Sequence, residues 1–109
     1  MATHVERDGY DTISEIRQAN EDAGLHFFEP ATMRFFNSKI ASRAVFGRHV
    51  FVTSEQFVGS DHVAQPRRYT LRSCYDGKVN TVGDFQQYRT IEEAKAAAKA
   101  LAKFQRVLP

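Results

Sequence analysis

The run RRYTLRSC (67–74), YDG (75–77), KVNTVGDFQQY (78–88) and RTIEEAKAAAKAL (89–101) reads as strand, tight turn, strand and helix. Tyr69, Leu71, Ser73 and Tyr75 alternate with Arg68, Thr70, Arg72 and Cys74, and a period of two puts the two sets on opposite faces of a strand. The aromatic face is expected to be buried, leaving the arginines in water. Asp76-Gly77 is the hairpin signal, because glycine accepts the positive φ that a two-residue turn demands. Val79, Val82 and Phe85 then follow at intervals of three, so holding all of them inside calls for a bulge near Gly83. Thr90 with Glu93 forms a capping box, and Ile91, Ala94, Ala98 and Leu101 make one face of the helix it opens. Small alanines let that helix lie close to a sheet. Lys95, Lys99 and Lys103 fall at i, i+4 and i+8 on its outer side, a stripe that serves either solubility or phosphate binding.

Working toward the N-terminus, Gly59 to Pro66 is a polar loop, and Ala44–Phe46, a Gly47-Arg48 turn and His49–Phe57 read as a β-hairpin. Val50 and Val52 share one face of it, with Phe51, Thr53 and Glu55 on the other. Pro30 suits the first turn of a short helix, with Met33, Phe36 and Ile40 turned to the core. A further helix starts at a capping box of Thr12 and Glu15, carries Ile13, Ile16 and Ala23, and stops at Gly24. Residues 1–9 read as a flexible leader and 10–109 as one domain. The expected class is α+β: a small antiparallel sheet of three to four strands, packed by a C-terminal helix and accompanied by one or two N-terminal helices.

A chain of 109 residues buries roughly 65% of its extended surface, enough for one modest core. Nine Phe and four Tyr, without Trp, supply its bulk. The first residues lack an apolar signal region and nowhere do 18 apolar residues run together, so a soluble, cytoplasmic protein without a membrane partner is expected. Cys74 is the only cysteine, which excludes an internal disulfide. Charge is uneven: residues 1–29 carry seven acids against two bases, a net of −5, and residues 30–109 a net of +7. Such asymmetry fits either a nucleic-acid surface with an acidic arm or an acidic arm that neutralises the body.

A search for chemistry returns little. His4, His26, His49 and His62 are scattered at spacings that suit no metal, and no glycine-rich phosphate loop is present. Cys74 reads as an inert strand residue. Thr53-Ser54-Glu55 is similar to the Ser-Thr and Glu elements of ADP-ribosyl transfer, but a chain this short leaves little room for a nicotinamide pocket, and Ser54 reads better as a strand-end hydrogen-bonder. No catalytic residue, cofactor or metal is assigned, and the protein is read as a non-enzyme.

Two resemblances remain. Gly59-Ser60-Asp61-His62 before a strand and Ala94-Lys95 in a helix, within about 31–101, resemble a double-stranded-RNA-binding domain. That family implies a groove-entering His62 and a phosphate-gripping Lys95. Glu92 and Glu93 depart from the pattern, since carboxylates there repel phosphates. The blocks PATMRFFNSKI (30–40), FVTSE (51–55), RRYTLR (67–72) and GDFQQY (83–88), followed by Glu92-Glu93-Ala94, resemble a family of small, largely uncharacterised proteins of phages and other mobile elements. This resemblance implies an accessory protein made inside a bacterial host, acting stoichiometrically on a host protein or nucleoprotein complex such as a nucleic-acid-guided defence complex. The residues expected to meet the partner are Arg68, Arg72, Tyr88, Arg89, Lys95, Lys99 and Lys103, since Arg and Tyr dominate interfaces and Arg pairs with phosphates. Direct binding of double-stranded RNA or DNA by the basic strand and lysine-rich helix is the alternative.

Overall fold

The computed structural model describes residues 9–35, 37–59 and 61–107, with side chains as far as Lys103. Along the chain lie α1 (Ile13–Asp22), α2 (Pro30–Phe35), β1 (Lys39–Ile40), β2 (Val50–Glu55), β3 (Arg68–Tyr75), β4 (Lys78–Val82) and α3 (Ile91–Val107). The strands form one antiparallel sheet in the order β1-β2-β3-β4. This is the expected α+β class. The leader through Asp8, His4, Phe36 and Ser60 lie outside the described residues.

The β3–β4 turn forms as its sequence demands. Asp76 and Gly77 have φ of 52° and 81°, and Tyr75 pairs with Lys78 across them, the geometry of a type I′ turn. Gly77 is required twice over, because a Cβ there would lie 2.4 Å from the carbonyl oxygen of Ala19 on α1. Neighbouring hydrogen bonds fasten α1 to this turn. Buried Asn20 donates to the Gly77 carbonyl at 2.8 Å and accepts from the Phe27 amide at 3.0 Å, while the Gly77 amide donates to the Tyr10 hydroxyl at 3.1 Å.

Both faces of the sheet are covered, and this corrects the expectation that one face of β3 meets water. On one side Val50, Val52 and Leu71 pack against Ala94 and Ala98 of α3, with Tyr69, Val82, Tyr88, Ile91 and Leu101 around them. On the other, Phe51 and Cys74 pack against Tyr10 and Ile16, with Phe27, Phe28, Ile40 and Val79 joining. The facing of β2 and β3 residues is as the alternation predicts. Val79 and Val82 need no bulge to be internal, since each enters a different core and β4 ends at Val82. Phe85 lies beyond the strand and is 39% exposed.

A complete capping box opens α1, whereas at α3 only the forward half of the expected box forms, and the Glu93 carboxylate accepts from the Thr90 hydroxyl at 3.2 Å instead of from the Thr90 amide. The Glu15 amide donates to Thr12 Oγ1 and the Thr12 amide to Glu15 Oε1 (3.2 and 3.1 Å), and the Glu93 amide donates to Thr90 Oγ1 at 3.1 Å. The short helix stops earlier than its apolar spacing suggests. Asn37 takes a φ of 49°, and Ile40 sits in β1, paired with Thr53, where it reaches the core from a strand. The hairpin before β2 is likewise reduced to a turn: Phe46 and Val50 exchange both backbone hydrogen bonds around Gly47-Arg48-His49, and Ala44 bridges to Thr12.

Candidate anion-binding groove

The Thr90 cap and the alanine ridge fix which side of α3 meets solvent. Ala94, Ala98 and Ala102 are buried, so Lys95, Lys99 and Lys103, one step further round the helix, are exposed. Four residues of α-helix rise about 6 Å, so the three lysines leave the same side of the helix at about that interval. Alongside runs the segment 41–47, held by Ala41 and Ser42 amides donating to the Val52 carbonyl and by the Phe46–Val50 pair. Between segment and helix lie two depressions of about 490 and 450 Å³, which share Phe46 and Lys99. Arg43 and Lys95 line the first and Lys103 the second. Gly47 lets the floor close, since a Cβ there would approach Ala102 Cβ to 2.6 Å. Among the described residues none of these four cations has an ion-pair partner. Four uncompensated positive charges along one groove favour an anionic occupant.

Sequence reading therefore found the lysine stripe but missed Arg43. Arg43 lies in a loop with no periodicity, and only the return of that loop onto α3 brings it near Lys95 and Lys99. Of the other anticipated residues, Arg68 and Arg89 are exposed at the start of β3 and before α3. Tyr88 is half-buried against the α3 core, its backbone exchanging hydrogen bonds with Tyr69 at 2.8 and 3.0 Å. His62 is exposed in the β2–β3 loop with a φ of 63°.

Arg72 is elsewhere and does another job. Its side chain is 11% exposed and faces away from α3, with Nη2 donating to Glu55 Oε2 at 3.1 Å, Nε to Thr53 Oγ1 at 3.0 Å and Nη1 to Thr81 Oγ1 at 2.7 Å. Glu55 is fully buried, and its carboxylate also accepts from Thr53, Thr70 and Ser38 hydroxyls at 2.7, 2.6 and 3.4 Å. An isolated buried carboxylate is strongly unfavourable, and here hydroxyls and a guanidinium satisfy it. Arg72 thus answers a charge on β2 instead of standing in water. One signal for this was available: Thr53 and Glu55 share the strand face that register puts against Thr70 and Arg72. The reading of Ser54 as a hydrogen-bonder is matched, since Arg67 Nη1 donates to Ser54 Oγ at 2.7 Å.

Cys74 is buried, and burial pushes its thiol up from the ordinary 9.0, with the Tyr10 hydrogen bond opposing. No group of three or more His, Cys, Asp and Glu is placed to hold a metal among the described residues, and no helix among them is long and apolar enough to cross a membrane.

No curated protein and no solved structure matches the chain. A family model does match, over residues 12–99, and this span takes in most of both cores and of the groove; the chain belongs to the family of unknown function DUF7447.

Proposed function

We propose that this protein is a non-enzymatic, stoichiometric binding protein that docks an anionic partner surface along α3. The observation that carries the reading is the groove with Arg43, Lys95, Lys99 and Lys103 on its walls and no carboxylate paired to any of them among the described residues. Exposed cations draw counter-ions that a phosphate backbone displaces, so a nucleic-acid-bearing complex is the partner that gains most from such a surface. Arg89, exposed directly before α3, adds a further positive charge near the start of that helix, whereas Arg68 is exposed on the β3 face turned away from it.

The finer reading is an accessory protein of a phage or other mobile element, acting in the bacterial cytoplasm as an inhibitor of a host defence nucleoprotein complex. Its support is the resemblance of the sequence blocks at 30–40, 51–55, 67–72 and 83–88. Affinity purification from the bacterium that carries the gene tests it: recovery of a host complex at fixed stoichiometry is expected, and recovery of none overturns it. Direct nucleic-acid binding is the second reading, favoured by the same cations. Mobility shifts with duplex RNA and duplex DNA at low salt separate the two, because backbone binding is strongest there and a flat response removes the second reading.

A further inference from the structure

On the sheet face away from α3, a separate cavity of about 470 Å³ lies between α2 and the strands, lined by Phe27, Met33, Phe57 and Phe85 with Thr32, Ser38, Arg72 and Thr81. That size falls in the range of small-ligand pockets. Its polar floor is built and not incidental. The Arg72 guanidinium carbon lies 5.4 Å from the Phe27 ring centroid and 5.6 Å from that of Phe85. Of five guanidinium N–H donors, Thr53, Thr81 and Glu55 each take one. Among the described residues nothing takes the other two, and Arg72 lines a cavity whose wall is otherwise mostly apolar. The Phe85 wall is also held in place, because the following Gln86 amide donates to Thr70 Oγ1 at 2.8 Å and the Gln86 side chain to the Glu55 carbonyl at 3.2 Å.

Three properties of an occupant follow. Phenylalanine walls select a flat ring that stacks or meets them edge-on. The Glu55 carboxylate already balances the Arg72 charge, so a charged ligand gains no net counter-ion and a neutral one loses least on desolvation. Spare N–H donors call for acceptors, and an aliphatic or phenyl group in the cavity leaves them unpaired. We propose that this cavity binds a neutral, planar heterocycle bearing ring carbonyl oxygens, of the nucleobase class, stacked on Phe85 with its carbonyl toward Arg72. The site is separate from the lysine groove and does not depend on it. The heterocycle is either a free nucleoside or one base of a single strand.

The test uses the whole chain. The protein has no tryptophan, so Phe85→Trp keeps a stacking wall and adds a single fluorescent reporter at the cavity. Titration of Phe85→Trp with uridine and guanosine, and with an octamer of uridine, is expected to quench that fluorescence saturably. In the otherwise unchanged protein the same ligands are expected to shift the backbone amides of Phe27, Thr81 and Phe85. Phe85→Ala, at a position already 39% exposed, is expected to fold and to bind about tenfold more weakly. Saturation by nucleosides and octamer alike assigns a free base as sufficient, and saturation by the octamer alone, still lost in Phe85→Ala, assigns a strand. The proposal is overturned by absence of saturable shifts with every probe, by binding that survives Phe85→Ala unchanged, or by octamer binding that vanishes only when Lys95, Lys99 and Lys103 are replaced. Toluene binding as tightly as uridine also overturns it, because the floor donors then select nothing. A failure here leaves the groove reading intact, since groove binding is read by salt dependence and the lysine replacements.

Discussion

Glu55 and Arg72 meet at 3.1 Å beneath the sheet, one with no solvent exposure and the other with 11%. Because the pair is shielded, removing either partner strands a charge in the interior. Glu55→Ala and Arg72→Ala are each expected to lose about 3–5 kcal/mol of stability. Replacing both residues with leucine is expected to cost less than the two single losses together, since neither charge is left alone. Urea denaturation of the four proteins measures this. Arg68→Glu serves as the control, because Arg68 is exposed and its replacement is expected to move the midpoint little.

The contrast between Arg68 and Arg72 also marks where sequence stops being informative. Local features were legible: the threonine caps of α1 and α3, the Asp76-Gly77 turn, the alternation along β3 and the alanine face of α3 all depend on neighbours within one turn or strand. Alternation says which residues share a face, but not what covers it. Coverage of the Arg72 face depends on α1 and on Phe27 and Phe28, which return from far along the chain and leave no local trace in β3. Ile40 was misassigned for a related reason. Its spacing from Met33 suits a helix, yet pairing with β2 offers the same burial from a strand. For the groove, the lysine period was visible and Arg43 was not, since a loop residue acquires its neighbours only from the path of the folded chain.

Gly77 and Gly24 both have positive φ, 81° and 75°, but only Gly77 is also crowded, by the Ala19 carbonyl. Gly77→Ala is therefore expected to cost roughly 2–4 kcal/mol from the combined strain and overlap. Gly24→Ala, with nothing within 4 Å of the added Cβ, is expected to cost about 1 kcal/mol. Thermal melts of the two variants separate the effects, and equal losses would remove the case for close approach of α1 to the turn.

Burial holds the Cys74 proton more tightly in the folded chain than in the unfolded one. A raised folded pKa means that this contribution is intact below the unfolded value of about 9.0 and is lost as pH climbs from there toward the folded value. Between neutral pH and about pH 10, the intact protein is thus expected to lose more stability than Cys74→Ala, in which this titration is absent. Denaturation midpoints at both pH values measure the difference. A thiol reagent is expected to modify Cys74 slowly in the native protein and rapidly in denaturant.

Exposure predicts that the lysine stripe can be changed without harm to the fold. Lys95, Lys99 and Lys103 are exposed while Ala94, Ala98 and Ala102 beside them are buried, so triple replacement of the lysines by alanine is expected to leave the thermal midpoint nearly unchanged. Ala98→Leu, against β2 and β3, is expected to cost about 1–3 kcal/mol through overpacking, and Ala100→Leu on the solvent side almost nothing. If the occupant of the groove is a phosphate backbone, each lysine removed weakens binding by a similar factor for every sequence and lowers the slope of log affinity against log salt by about 1. Affinities measured at several salt concentrations check this. A loss of binding that is independent of salt would mean that the lysines meet something other than a phosphate backbone, and would move the partner toward a protein surface.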